Sequence, residues 1–250
     1  MHYKMADFVK LKQTDTVFLI GSGSSLNEIT EDQWSIINSY DNMGVNNIFY
    51  HPFFIPKSLH LELKKYDWGI AKERLEEKWE LGWKNVNYIF PIERYAYISG
   101  AIGHEKKAKI FTYRYERRGF HPKKHPDTKI DANFNPDKIL YKSYDTSVST
   151  IIQMLYLMGY KNIILWGLDM RDSKYFWTDM EPEVRGLVHD LWNKQREGKD
   201  KNTPHNASHL QDYITDFNDK FMKPKRREIF VGHKSTLLYP KLQYIDIDKL

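Results

Sequence analysis

The chain has 250 residues, no cysteine and a formal net charge of +5 at pH 7. The absence of cysteine excludes disulfides, zinc–thiolate sites and thiol nucleophiles, and it favours a reducing, cytoplasmic setting. With 41% hydrophobic and 28% charged residues the composition is that of a globular protein, and no apolar run approaches the ~20 residues of a membrane-spanning helix.

The first predicted element is a strand at 16–20, which ends in the glycine-rich stretch Gly21-Ser-Gly-Ser-Ser25. A polar segment with helical spacing follows from 26 to 40, so the order is strand, glycine-rich turn, helix. Glycine lets backbone N–H groups approach a phosphate, and a helix N-terminus adds a favourable dipole. The loop lacks the ending of a Walker A loop and the third glycine of the dinucleotide fingerprint, which disfavours NAD. The alternative is a plain turn with serine caps.

The middle of the chain carries weaker signals. Strands are predicted at 44–50 and 86–91, and the charged segment 62–80 is helical in character. Residues 103–136 are basic and rich in histidine and have no clear period, so we expect a long irregular excursion there. Its lysine-rich part, 106–124, is either a solvated face or a surface for polyanions.

The second half contains the clearest unit. An amphipathic helix is predicted at 147–160, and a continuous apolar strand follows at 163–166. Such a strand is typical of a parallel sheet that is covered on both faces. A helix at about 207–221 and strands at 228–231 and 242–247 complete the chain. Because strands alternate with helices, the sequence predicts an α/β fold with a mostly parallel sheet.

Several polar residues sit where ligands bind in such folds. Asp169 ends the apolar strand, and ligands bind at the carboxyl ends of parallel strands; the alternative is an Asp that bonds loop backbone. Thr146 and Ser147 open a helix, where hydroxyls either cap the helix or bind an anion. His205 and His209 lie four residues apart, near a predicted helix start. Either is a candidate general base, because histidine titrates near neutrality, or a surface residue.

Metal chemistry is not expected. The histidine pair lacks the glutamate of a zinc-protease motif. The terminal Asp246-Ile-Asp248 is similar to a metal-binding Asp-x-Asp pair, but a frayed strand is the preferred interpretation there.

The order of these motifs resembles the bacterial CMP-sialic-acid-dependent sialyltransferases of glycosyltransferase family 42. The resemblance covers most of the chain except about 51–140. The matching features are the first strand with Gly-x-Gly-x-Ser-Leu, Asn46 before aromatic residues, Thr146-Ser147 leading through a helix to Asp169, a His-x-x-x-His motif, and a late strand entering a Ser-x-Leu-like segment at 229–238. Some motifs also occur in glycosyltransferase-like and pterin-pyrophosphokinase-like proteins.

The resemblance implies a single Rossmann-like domain over 1–250, with a mostly parallel sheet flanked by helices and a flexible lid at about 171–206. It also implies residue roles: Gly21, Ser22, Gly23, Ser24, Ser25 and Asn46 would hold the nucleotide and its phosphate, Thr146 and Ser147 would meet the donor sugar or its carboxylate, Asp169 would contact the nucleotide, Tyr175 would bind the leaving phosphate, and His209 would be the general base.

Three positions depart from the family pattern. Ser22 stands where the family usually has Asn, and Arg171 aligns with the second phosphate-binding tyrosine. The arginine expected just before Thr146 is replaced by Tyr144 or Asp145. Arg171 can still bind phosphate, because a guanidinium matches phosphate oxygens well. The donor sugar can therefore differ from sialic acid.

The leading hypothesis is an inverting, metal-independent glycosyltransferase that needs no cofactor besides its CMP-sugar substrate. It would move an acidic sugar to a glycan or glycolipid acceptor. The net positive charge is compatible with peripheral contact at the inner membrane face. The sequence leaves open whether the protein forms a homo-oligomer, and no nucleic-acid partner is expected. The alternatives are a Mg²⁺-dependent nucleotide transferase similar to a pyrophosphokinase and a basic polyanion-binding module.

Overall fold

The structure is a computed structural model that describes residues 2–62, 75–95, 108–115, 137, 140, 146–171, 175–179 and 204–250. The side chains of 2–6, 178–179 and 204–209 are outside this description. Three predicted segments lie mostly outside this description: the helical segment 62–80 at residues 63–74, the basic stretch 106–124 at 106–107 and 116–124, and the lid 171–206 at 172–174 and 180–203.

The described strands form one nine-stranded sheet in the order β1-β6-β5-β4-β3-β2-β7-β8-β9, and every neighbouring pair is parallel. The strands are β1 (His2–Lys4), β2 (Thr16–Ile20), β3 (Asp41–Val45), β4 (Ser58–His60), β5 (Asn87–Pro91), β6 (Lys109–Tyr113), β7 (Asn162–Trp166), β8 (Glu228–Val231) and β9 (Gln243–Tyr244). The α-helices with given bounds are α1 (Met5–Phe8), α2 (Glu31–Ser39), α3 (Ser147–Leu157) and α4 (Pro204–Phe217), the last continuing as a π-helix at Asn218–Met222; residues 75–78 are helical as well.

Side chains of the central strand β2 alternate between two hydrophobic cores. Phe18 and Ile20 belong to the core shared with α2, whereas Val17 and Leu19 belong to the core shared with α3 and α4. This alternation follows from the two-residue period of a strand. Helices therefore cover both faces, which confirms the predicted α/β fold with a parallel sheet.

The chain reverses its direction of travel across the sheet at β2. Strands β3 to β6 follow on one side of it, whereas β7 to β9 follow on the other. Such a reversal leaves a crevice at the carboxyl ends of the two neighbouring strands, here β2 and β7, and ligands of doubly wound folds bind there.

Several local predictions need correction. The glycine-rich loop does not run into an α-helix: a 3₁₀ helix spans Ser24–Glu28, and α2 starts only at Glu31, behind a capping box formed by Thr30 and Gln33. The second predicted strand ends earlier, at Val45, because Asn46 takes a left-handed conformation with φ of 46° and opens a 3₁₀ helix.

Two further differences concern the sheet. The excursion expected to be irregular contains the strand β6, and the last predicted strand shrinks to the two residues of β9. The strands at 16–20 and 228–231 have the predicted bounds. None of the described helices has the length and apolar character needed to cross a bilayer.

Candidate functional site

The glycine-rich loop packs directly against the loop that follows β7. The Gly21 amide donates to the carbonyl of Trp166 at 2.8 Å, and the Gly23 amide donates to that of Gly167 at 2.7 Å. A Cβ atom at Gly21 would collide with the Gly167 carbonyl, and one at Gly23 would collide with the carboxylate of Asp169. Both glycines are therefore required by the contact between the two loops, a reason distinct from the approach to a phosphate.

Asp169 fastens this contact. Its side chain is buried, and its carboxylate accepts hydrogen bonds from the Ser25 amide at 2.9 Å and from the Ser25 hydroxyl. The Ser24 hydroxyl lies 3.5 Å from the same carboxylate. The alternative that an Asp at this position bonds loop backbone is thus what the structure shows. No hydrogen bond joins the Ser22 hydroxyl to the described part of the chain.

A second polar cluster joins the ends of β3 and β4 to the start of α3. Oδ1 of the Asn46 side chain accepts from the Glu62 backbone amide at 2.8 Å. The Ser147 hydroxyl donates to the Glu62 carboxylate at 2.8 Å, and Nδ2 of the Asn46 side chain lies 3.5 Å from the Ser147 hydroxyl oxygen. Thr146 caps α3, since its hydroxyl accepts from the Ser149 amide at 3.4 Å. Asn46 and Ser147, 101 residues apart in sequence, are therefore neighbours.

A buried histidine–tyrosine pair lies at the same edge. Nε2 of His60, at the end of β4, is 2.7 Å from the hydroxyl of Tyr113, at the end of β6. Burial raises the pKa of Tyr113 well above its ordinary value, and the negative charge of Glu62 adds to the effect. The Tyr113 hydroxyl is consequently neutral across the physiological range.

Tyr175 lies beside the glycine-rich loop. The Phe176 amide donates to the Ser22 carbonyl at 3.1 Å, and the side chain of Asn27 donates to the Phe176 carbonyl at 2.9 Å. The Tyr175 ring stacks on Trp177 with centroids 4.4 Å apart and an interplanar angle of 3°. Residues 175–177 are therefore docked on the loop.

The described part of the chain gives no side-chain contacts for Arg171 or His209. Arg171 is exposed and follows the loop after β7. His209 lies in α4, but its side chain is outside the described atoms, so its role as general base stays a prediction. Within the described residues, the site thus brings Gly21–Ser25, Asp169 and Tyr175 together, and separately Asn46, Thr146 and Ser147.

Sequence reasoning missed three groups at this edge: Glu62, the His60–Tyr113 pair, and His233, whose Nε2 lies 2.7 Å from the Glu28 carboxylate. Each follows or ends a strand, and that position was the available signal. Glu62 was missed because β4 has only three residues, and His60–Tyr113 because β6 was not predicted.

Among the described residues no cluster of three or more His, Asp or Glu side chains could hold a metal ion.

A cavity of about 430 Å³ lies at the other end of the strands. It is lined by residues at the amino ends of β3 to β6, such as Asp41, Ser58, Asn87 and Lys109. It shares no residue with the predicted site.

No protein-family model matches the chain, and no curated protein matches it by sequence. Among solved structures, a single-residue variant of the sialyltransferase CST-II in complex with CMP is similar to it, with 17% identity and a TM-score of 0.48, over 92% of this chain and 85% of that chain. A likeness at this level says nothing about substrate or residue roles.

Proposed function

We propose that this protein is a glycosyltransferase that moves an acidic sugar from a CMP-activated donor to the hydroxyl of a glycan or glycolipid. The observation that supports the proposal is the position of the motif residues. The glycine-rich loop, Asn46, Ser147 and Asp169 come from separate parts of the sequence, and all lie at the carboxyl edge of the sheet around the strand reversal, where doubly wound folds bind nucleotides.

In this proposal the donor lies along that edge. Gly21–Ser25 and Asn46 hold the nucleotide and its phosphate, with the Ser22 hydroxyl as a direct donor. Thr146 and Ser147 face the sugar. Asp169 keeps the loop in its binding conformation through Ser25, and segment 171–206 acts as a lid over the donor.

The chemistry requires little besides positioning and a base. The acceptor oxygen attacks the anomeric carbon while the bond from that carbon to the phosphate oxygen breaks, which inverts the configuration. The acceptor proton passes to His209. CMP departs with the bonding electron pair, and Arg171 and Tyr175 stabilise the charge on its phosphate. No step needs a metal ion.

Nucleotide binding is the first test. A ligand that binds only the folded state raises the melting temperature, so CMP should raise it more than CDP, UDP, GDP or ATP, equally with Mg²⁺ or EDTA. Stabilisation by ATP or GDP only in the presence of Mg²⁺ would instead favour a nucleotide transferase, and no response to any nucleotide would refute the proposal.

A pair of charge variants makes the test specific for the site. Arg171→Gln should weaken CMP binding at least several-fold, because it removes an exposed cation at the carboxyl edge. Lys109→Gln removes an exposed cation at the opposite edge and should leave CMP affinity unchanged. Equal losses in the two variants would indicate a general charge effect instead of a phosphate site.

A further inference from the structure

Glu62 places a carboxylate beside the N-terminus of α3, where the donor sugar lies in the proposed function. The residue is two positions beyond the end of β4, and its carboxylate accepts the Ser147 hydroxyl at 2.8 Å. An anion is well placed near a helix N-terminus. The chain itself therefore supplies the negative charge at this helix end.

Both ends of Glu62 are fixed. The Glu62 amide donates to the Asn46 side chain at 2.8 Å, and the carboxylate is held by Ser147. Asn46 is in turn held at a left-handed φ of 46°. A side chain that is ordered before the ligand arrives loses less conformational entropy on binding. This arrangement is that of a pre-organised acceptor.

An ionised carboxylate has two oxygens that only accept hydrogen bonds, with capacity for about four. A ligand group that meets Glu62 must therefore be a donor, such as a hydroxyl or an amide N–H. A second carboxylate placed there would be repelled by the like charge. The charge of Glu62 also contributes to the raised pKa of Tyr113, so the neutral Tyr113 hydroxyl, paired with His60 at 2.7 Å, lies within electrostatic range of the acceptor.

We propose that Glu62 binds hydroxyl groups of the transferred sugar and so turns the sugar's hydroxyl-bearing side, and not its carboxylate, towards the N-terminus of α3. The inference rests on the proposed function. Glu62 would then determine the orientation of the donor sugar, with the carboxylate of an acidic donor placed away from Ser147.

The test compares CMP with CMP-N-acetylneuraminic acid as ligands in calorimetric titrations. Glu62→Gln keeps the side-chain size but exchanges an acceptor oxygen for an NH₂ group. We expect at least 10-fold weaker binding of the CMP-sugar and less than a 2-fold change for CMP. Glu80→Gln, which removes an exposed carboxylate in the 3₁₀ helix at Trp79–Leu81, before the amino end of β5, is the matched control and should change neither affinity.

Each other outcome is decisive. Unchanged or tighter CMP-sugar binding by Glu62→Gln, in a protein that binds CMP, would overturn the inference alone. An equal loss for CMP and the CMP-sugar would place Glu62 on the ribose and overturn it as well. If the unmodified protein binds neither ligand, the proposed function fails and this inference fails with it.

Glu62→Asp serves as a second variant should Glu62→Gln not fold. It keeps the charge but retracts the carboxylate, so it should also weaken only the CMP-sugar. Full CMP-sugar affinity in Glu62→Asp would count against a hydroxyl contact at the observed reach of Glu62.

Discussion

At the scale of single residues, three of the ten histidines differ in how far the structure constrains them. His233 is anchored to Glu28 and His51 is buried against aromatic rings. His209 is placed only as a position in α4. Chemistry, more than geometry, therefore supports the assignment of His209 as the base.

His209→Ala should lower turnover by about 10²- to 10⁴-fold, because that is the usual effect of removing a general base. Donor affinity should change little, since the base acts on the acceptor. The measurement is steady-state transfer to the acceptor, together with CMP titration. His205→Ala, four residues earlier, is the matched control and should have the milder effect; near-normal turnover of His209→Ala would remove it from the mechanism.

His51 predicts a loss of stability in mild acid. Burial, with a contribution from the positive charge of Lys78, lowers the pKa of His51 to about 4. An unfolded histidine titrates near 6.5. Between these pH values the unfolded state binds a proton that the folded state does not. The contribution of His51 to the free energy of unfolding is therefore complete above pH 6.5 and falls as the pH drops towards 4. The full difference is about 3 kcal/mol.

Urea unfolding at pH 7.5 and pH 5 measures this effect. His51→Asn retains a side-chain acceptor for the Phe54 amide, which Nδ1 of His51 now accepts at 3.1 Å, but it does not titrate. The free energy of unfolding of His51→Asn should therefore decline less over this interval. The same decline in both proteins would assign the acid sensitivity to other groups.

At the scale of elements, the two loops after β2 and β7 behave as one unit, because glycine at 21 and 23 lets Gly167 and Asp169 approach. Gly23→Ala should reduce the free energy of unfolding by about 1–3 kcal/mol, as is typical of overpacking. Ser22→Ala in the same loop should have little effect on stability.

A double-mutant cycle locates the cause of that loss. If the added methyl group collides with the Asp169 carboxylate, Gly23→Ala should cost less in an Asp169→Ala background. Additive losses would show that the strain arises against the Gly167 carbonyl instead.

Element patterns could be predicted where the chain is periodic or continuously apolar. This holds for β2 and β7, whose buried runs are typical of a sheet covered on both faces. Strand β6 was missed because it stands inside a basic segment, and its five residues offer too few positions to show a period. The end of β3 was missed because the left-handed Asn46 interrupts an otherwise strand-like sequence.

For the whole molecule, the alternation of strands and helices was sufficient to predict the class of sheet, but not the contacts between loops. Asp169 was identified as a candidate from its place at the end of a strand, and Asn46 was identified through the family resemblance. Asp169 lies 144 residues from its partner Ser25, and Asn46 lies 101 residues from Ser147 and 16 from Glu62. A single sequence does not reveal which loops meet. This is why the site was predicted as a set of residues without its internal bonds.

The outermost strands on the two sides of the sheet bear on how copies of this protein can associate. Among the described strands, the two at the sides of the sheet are β1, with three residues, and β9, with two. Long, flat edges with unpaired backbone groups are the templates on which chains add strands and aggregate, and these edges are too short to serve well. We therefore expect a homo-oligomer to form through side-chain surfaces and not through these two strands, so that its affinity responds to surface substitutions far more than to the backbone of β1 or β9.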